Sequence, residues 1–363
     1  MDAAARSRLL RWYRAKRRDL PWRRTKDAYA ILVSEVMLQQ TRVEVVVPFY
    51  ERWLRRFPNL AALAEAREEE VLAAWAGLGY YRRARNLHAA AQAVVAQHKG
   101  KLPATAEALR MLPGIGAYTA GAVASIAFGE RVPCVDGNVV RVASRILGLR
   151  QPDSAALRRR IEDAATAWVS ARSPGDWNQA VMELGATVCS PRNPRCGECP
   201  VAAACVAKAK GWQDTIPAKT KAKTAVAATA MRFARIEQAG RVLLVRNPET
   251  GLLAGMWMLP GGASTTPLAR LVREQAGVRV RLGPVEREAR HLFSHRTWAM
   301  ELRRATLLDV DHAQPGRRTW WCPVADLDGA ALPAAMRVLL ADLDGPTRGR
   351  KRRARSKPAP SAS

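Results

Sequence analysis

The sequence predicts two domains of different class, a mainly α domain followed by a smaller α+β domain. Three observations carry that reading. From Arg6 to about Lys210, apolar residues recur at helical spacing, as in Leu87, Ala90, Ala91, Val94 and Val95, and strand-like alternation is scarce. Residues 211–229 are basic, small and poor in large apolar groups, which suits a linker. Beyond them, residues 232–236 and 242–245 are strand candidates around Gln238-Ala239-Gly240, a hairpin signal. The boundaries that follow are a helical domain over 1–210, a linker over 211–229, a second domain over 230–345 and a tail over 346–363.

In chain order, Asp27 caps a helix carrying residues 31–40. Gly100 and Pro103 punctuate the end of the helix through Leu87. Leu112-Pro113-Gly114-Ile115-Gly116 is a tight turn, and an Ala-rich helix begins just after Gly116. The unpaired N–H groups of that helix point into the turn, and two glycines let a phosphate approach the backbone. Most such turns only connect elements. Asp136-Gly137-Asn138 precedes a further apolar pattern from Val139. In the second domain, 251–262 reads as loop, 268–275 as helix and 296–302 as strand. The tail contains GRKRRARSKP and reads as disordered.

The chain has 363 residues and is 48% hydrophobic, so a sizeable core is available. Lys and Arg number 59 against 32 Asp and Glu, a formal charge of +27. That excess points to a polyanion, nucleic acid before membrane. No apolar stretch approaches the length of a membrane span, and the N-terminus has no signal-peptide pattern. The expectation is a cytoplasmic, nucleoid-associated bacterial protein, monomeric and without a membrane partner.

Four of six cysteines crowd into one segment. Cys189, Cys196, Cys199 and Cys205 are spaced C-x6-C-x2-C-x5-C, and four soft thiolates close around zinc or an iron–sulfur cluster. Spacing alone does not separate the two. Arg192, Arg195 and Lys208 flank the ligands and could meet DNA phosphates. Cys134 and Cys322 read as ordinary buried thiols. Two carboxylates also stand out. Glu35 lies within an apolar run, Ser34-Glu35-Val36-Met37-Leu38-Gln39-Gln40-Thr41, where desolvation would raise its pKa and favour an acid role. Asp136 reads equally as a helix cap ahead of Asn138 and Val139. Two carboxylates with different roles meet the needs of glycosidic bond cleavage, where a leaving group is protonated and a cation is stabilised.

The order of a PGxG turn, an Asp one helix later and then four cysteines resembles the helix-hairpin-helix DNA glycosylases of the endonuclease III superfamily. SEVMLQQT, GLGYYRRARNL, LPGIGAYTAGA and VDGNVVRV resemble the MutY-type adenine branch. The likeness runs from Trp12 to about Leu340. It implies a [4Fe–4S] cluster on the four cysteines. It implies that Glu35 protonates a flipped adenine, that Asp136 stabilises or attacks the sugar cation, and that Asn138 orients Asp136 or the water. Relatives that also cut the backbone carry a lysine two residues after the second hairpin glycine. Tyr118 stands there and cannot form a Schiff base, so the resemblance implies a monofunctional enzyme. Tyr118 would shield or hydrogen-bond the cation, or simply be a buried aromatic.

By the same resemblance, Leu112, Gly114 and Gly116 form the DNA-binding hairpin. Gln40 and Tyr80 enter the duplex as the base leaves, and Arg82, Arg83 and Arg85 beside Tyr80 suit phosphate contact. Leu20, Trp22, Arg23 and Leu38 line the adenine pocket, and Glu183 hydrogen-bonds the base. Residues 230–345 look like a Nudix-type module in which only Glu274 remains of the acidic set that holds Mg²⁺. That leaves binding as its job, and the resemblance implies recognition of 8-oxoguanine opposite the adenine, by Phe293, Ser294 and His295. The expected activity is removal of adenine opposite 8-oxoguanine or guanine in double-stranded DNA. A non-catalytic damage-binding protein and a pyrimidine-specific glycosylase/lyase are the alternatives. A nucleotide pyrophosphatase fails on the depleted acidic set.

Overall fold

The computed structural model describes residues 1–152, 154–218, 227–293, 296–308 and 318–341. The chain divides into two compact units, Met1–Ala225 and Val226–Ser363.

The first unit is helical among its described residues. Its helices are α1 Ala3–Lys16, α2 Ala28–Leu38, α3 Val43–Arg56, α4 Leu60–Glu65, α5 Glu68–Trp75 and α6 Arg82–His98, then α7 Ala106–Arg110, α8 Ala117–Ala127, α9 Gly137–Leu147, α10 Ala155–Trp168, α11 Pro174–Thr187 and α12 Val206–Ala209. Asp27 caps α2 as expected, its carboxylate accepting from Tyr29 N at 2.9 Å. Every residue of α2 from Tyr29 to Met37 is buried, so this helix is apolar all round because it runs through the core. It packs against α8, which is buried from Thr119 to Ile126. Trp53 and Trp75 stack edge to face at 5.3 Å, and the Trp53 indole donates to Tyr29 Oη at 3.1 Å. A second core joins α1, α9, α10 and α11 through Leu9, Tyr13, Val142, Ile161, Trp177 and Leu184.

The stretch expected as a linker starts later than its composition suggests. Ile216 is 1% exposed, and its carbonyl accepts from Arg145 Nε at 2.9 Å. Trp212 and Ile216 are the two large apolar anchors in this basic segment, and Trp212 N donates to Ala207 O at 2.7 Å. Residues 219–226 and the basic tail lie outside the described residues.

The second unit is a mixed sheet with strands β1 Thr229–Gln238, β2 Arg241–Arg246, β3 Trp257–Met258, β4 Gly261–Ala263, β5 Val280–Leu292, β6 Thr297–Leu307 and β7 Thr319–Pro323. The order is β3-β2-β1-β6-β5, with β4 on β1 and β7 on β2. β1 and β6 run parallel and the other pairs are antiparallel. Ala239 and Gly240 both have positive φ, 48° and 71°, which closes the expected β1–β2 hairpin. Helices α13 Leu268–Ala276 and α14 Ala334–Leu340 contribute to two separate cores. Phe233 and Leu244 belong to one and Ala234 and Leu243 to the other, the strand alternation of a sheet covered on both faces. Residues 251–262, expected as loop, contain β3 and the start of β4. β5 escaped the sequence because its burial alternates weakly and two register shifts interrupt it.

Candidate active site

Glu35 sits in the third turn of α2, 5% exposed. Tyr118, in the first turn of α8, donates its hydroxyl to Glu35 Oε2 at 2.5 Å. Burial pushes the Glu35 carboxyl up to about 7, the Tyr118 hydrogen bond works against the rise, and the neighbouring Asp136 charge adds to it. A carboxyl poised near neutrality can hold a proton and release it, which is what a general acid needs. Residues 83 and 101 positions apart in sequence thus meet at one place.

Asp136 is both a helix cap and a member of this site. Its Oδ1 accepts from Val139 N at 2.7 Å at the start of α9, and its Oδ2 accepts from Asn138 Nδ2 at 2.8 Å. The Asn138 amide oxygen in turn accepts from Arg141 at 2.8 Å, and Arg141 also donates to the carbonyls of Gly185 and Cys189. Gly185 of α11 lies against Asn138, where a Cβ would come 2.6 Å from Asn138 Cβ. The cap fixes one carboxylate oxygen and leaves the half-buried group beside Glu35.

Leu20, Trp22 and Arg23 come from one short turn before α2. Leu20 and Trp22 are buried, Trp22 edge-on to Tyr50 at 5.4 Å, and Leu38 is half-buried at the end of α2. Glu183 is 1% exposed, and its oxygens are engaged by arginines. Oε1 accepts from Arg18 N and Nε at 3.0 and 2.9 Å, and Oε2 accepts from Arg18 Nη2 at 2.8 Å and Arg23 Nη2 at 2.7 Å. Burial alone would raise this carboxyl, but the hydrogen bonds from Arg18 and Arg23 hold it down to about 2. Four acceptor sites filled by guanidinium and backbone place Glu183 behind Arg23 in this structure. Arg18 was not legible as part of the site, because its partner lies 165 residues away.

In the hairpin, Leu112 is buried and Gly114 has φ 72° with the Asn86 side chain 2.3 Å from where a Cβ would stand, so only glycine fits. Gly116 is the N-cap of α8 and supplies no side-chain acceptor to its first turn. Gln40 and Tyr80 are exposed, and each is a non-glycine residue in the left-handed region, φ 57° and 50°. The neighbouring arginines correct the sequence reading. Arg83 is buried at 8% exposure and holds backbone carbonyls, and Arg85 pairs with Glu68 at 2.9 Å. Of the three, Arg82 is the exposed one, because α6 begins there and turns Arg83 inward.

Cys189, Cys196, Cys199 and Cys205 line one small pocket together with Arg145 and Lys208. Among the described residues, no three Cys, His, Asp or Glu side chains are grouped closely enough to hold a single ion. The donor set is nonetheless soft and all sulfur, and Arg145 donates to Cys189 Sγ at 3.2 Å. In the second unit, Phe293 lies edge-on to His291 and Trp298 at 4.6 and 4.8 Å. Ser294 and His295 lie outside the described residues. Glu274 forms an exposed pair with Arg270 at 2.7 Å.

Comparison with known proteins agrees with this geometry. Residues 33–166 match the HhH-GPD superfamily of base excision DNA repair proteins, and residues 232–342 match the NUDIX domain. The chain is 36% identical to the adenine DNA glycosylase of Homo sapiens, over 98% of this chain and 77% of that protein. It is 46% identical to that of Mycolicibacterium smegmatis, over 53% of this chain and 66% of that protein. A solved thermostable thymine-DNA glycosylase aligns with a TM-score of 0.52 at 29% identity, covering 56% of this chain and 95% of that one. A chain that carries a buried acid and a second carboxylate in a helical HhH-GPD domain, followed in sequence by a Nudix-like domain, therefore belongs to the adenine DNA glycosylase family, the DNA N-glycosylases of base excision repair.

Proposed function

We propose that the enzyme hydrolyses the N-glycosidic bond of adenine paired with 8-oxoguanine or guanine in double-stranded DNA, and that it does not cut the backbone. The observation that carries this reading is the buried Glu35 carboxyl, bonded to Tyr118 with Asp136 beside it. Glu35 donates its proton to a ring nitrogen of the extruded adenine. The C1′–N bond breaks, its electron pair leaves with the protonated base, and Asp136 faces the cation left on the sugar. Water adds to C1′ and gives up a proton to solvent, from which the Glu35 carboxylate is reprotonated, leaving an abasic site and free adenine. Asn138 holds Asp136, and Tyr118 holds Glu35. Tyr118 offers no amine to the abasic sugar, which supports hydrolysis without lyase chemistry.

Leu20, Trp22, Leu38 and Arg23 enclose the base, with Glu183 anchoring Arg23. Leu112, Gly114 and Gly116 take the DNA backbone, and Gln40 and Tyr80 enter the duplex. Phe293, Ser294 and His295 read the opposite base. Cys189, Cys196, Cys199 and Cys205 would hold a [4Fe–4S] cluster, with Arg145 and Lys208 offsetting its negative charge. When bound, that group supplies four iron–thiolate bonds to the loop. The protein acts as a cytoplasmic monomer.

Single-turnover assays on adenine:8-oxoguanine, adenine:guanine and thymine-glycol duplexes test the reading. Adenine release from the first two, without strand cleavage, is expected; efficient cleavage would reject the monofunctional assignment. The pair Ser294→Ala with His295→Ala should narrow the preference for 8-oxoguanine over guanine. Iron analysis of Cys199→Ser should show loss of the cluster.

A further inference from the structure

Arg83 lies in the first turn of α6, buried, and no carboxylate pairs with it among the described residues. A buried guanidinium at the positive end of a helix is costly unless acceptors surround it. Its Nη1 donates to the carbonyls of Val36, Met37 and Gln39 at 3.0, 2.7 and 2.6 Å. Its Nη2 donates to Thr41 Oγ1 at 3.0 Å and to the carbonyls of Leu78 and Gly79 at 3.3 and 3.1 Å. The first group closes the C-terminal end of α2, where carbonyls run out of helical partners. The Leu78 and Gly79 contacts of the second close the turn before α6, while its Thr41 contact reaches back to the segment after α2.

Two of those acceptors have particular positions. Gln39 O belongs to the peptide immediately before Gln40, and Gly79 O to the peptide immediately before Tyr80. Both following residues are non-glycine in the left-handed region, a conformation costing roughly 1–2 kcal/mol that persists only where the surroundings hold it. The guanidinium carbon also stands 5.3 Å from the centre of the Tyr80 ring and 5.2 Å from that of Trp75. Trp75 Nε1 donates to the same Gly79 carbonyl at 3.0 Å. One planar fork thus grips the base of two strained, exposed turns, and the helix it caps carries Glu35.

We propose that Arg83 is a positioning residue for base extrusion, tying the Gln40 and Tyr80 turns into one unit so that both side chains enter the duplex together at a fixed offset from Glu35. This rests on the reading that Gln40 and Tyr80 enter the duplex. A lysine cannot replace the fork, since its donors diverge from one nitrogen and reach one turn at a time.

A double-mutant cycle on the full chain tests it. Single-turnover excision from an adenine:8-oxoguanine duplex is measured for Gln40→Ala, Tyr80→Ala and both together, in the native background and with Arg83→Lys. Native coupling should make the double loss differ from the product of the single losses by about fivefold or more. With Arg83→Lys the coupling should fall within about twofold of none, in protein whose circular dichroism matches the native. Thr41→Val, which removes one acceptor and leaves Arg83 in place, should lower the coupling in the same direction, and it carries the test if Arg83→Lys does not fold. Multiplicative losses in the native background, or coupling unchanged in the folded Arg83 or Thr41 variant, would overturn the proposal. Single variants that excise normally would instead overturn the duplex-entry reading on which it rests.

Discussion

Among the described residues two glutamates are buried in the first unit, and their proton affinities are shifted in opposite directions. Glu35, on α2, meets a tyrosine hydroxyl and stands near a second carboxylate. Glu183, on α11, meets two guanidinium groups and a backbone N–H. Both are taken from water, so burial works in the same direction on each. The partners decide the outcome: about 7 for Glu35 and about 2 for Glu183. One can hold and release a proton near neutrality, as the proposed acid role requires. The other stays charged and holds Arg23. One residue type, on two different helices, thus takes two opposite electrostatic settings.

The comparison breaks first at Glu35. Glu35→Gln keeps the shape and loses the proton, and single-turnover adenine release should fall by at least ~100-fold, the typical share of a general acid, while duplex binding persists. Normal turnover by this variant would remove Glu35 from the chemistry. Glu183→Gln should act on stability instead. It leaves Arg23 buried beside a neutral amide, while the more exposed Arg18 can regain water, and the loss should be roughly 3 kcal/mol. In a unit of this size that is about 6–12 °C in Tm by calorimetry. An unchanged Tm would show that the arginines do not depend on the carboxylate.

The two residues should also impose opposite slopes on stability against pH. Glu183 is ionised more readily folded than unfolded, so its contribution is complete above its ordinary 4.5 and is lost as pH falls toward 2. Glu35 binds its proton more tightly when folded, so its contribution is complete below 4.5 and is lost as pH rises through about 7. Each window spans on the order of 3 kcal/mol. Thermal melts should flatten on the acid side in Glu183→Gln and between pH 4.5 and 7 in Glu35→Gln; identical profiles would contradict the assignment. The smallest effect belongs to Tyr118→Phe. Its hydroxyl favours the charged form of Glu35, so removing it should move the alkaline limb of the excision profile to higher pH, by a few-fold in rate at pH 8. A shift to lower pH would reverse the sign argued for this hydrogen bond.

Local chemistry made much of this legible in the sequence. The Asp27 cap, the Ala239-Gly240 hairpin and the glycine turn before α8 are written within a few residues of where they act. Glu35 was legible because an acid in an unbroken apolar run has nowhere polar to go. Asp136 caps α9 with one carboxylate oxygen, as one of its readings has it, and its charge also reaches Glu35. Arg18 with Glu183 and Arg83 with Gln39 were not legible, for a common reason. Each contact joins residues dozens of positions apart, and an arginine in a charged run carries no mark that it will be buried. The β5 strand was missed for a different reason, its alternation being interrupted by register shifts.

Gly185 shows what a position without a side chain can decide. It carries neither side chain nor charge, yet a single added methyl would land on Asn138, whose amide steadies Asp136. Harm to this enzyme can therefore begin at a residue that no search for reactive groups would select. Variants there should be sorted with those of the acid itself rather than with ordinary packing losses.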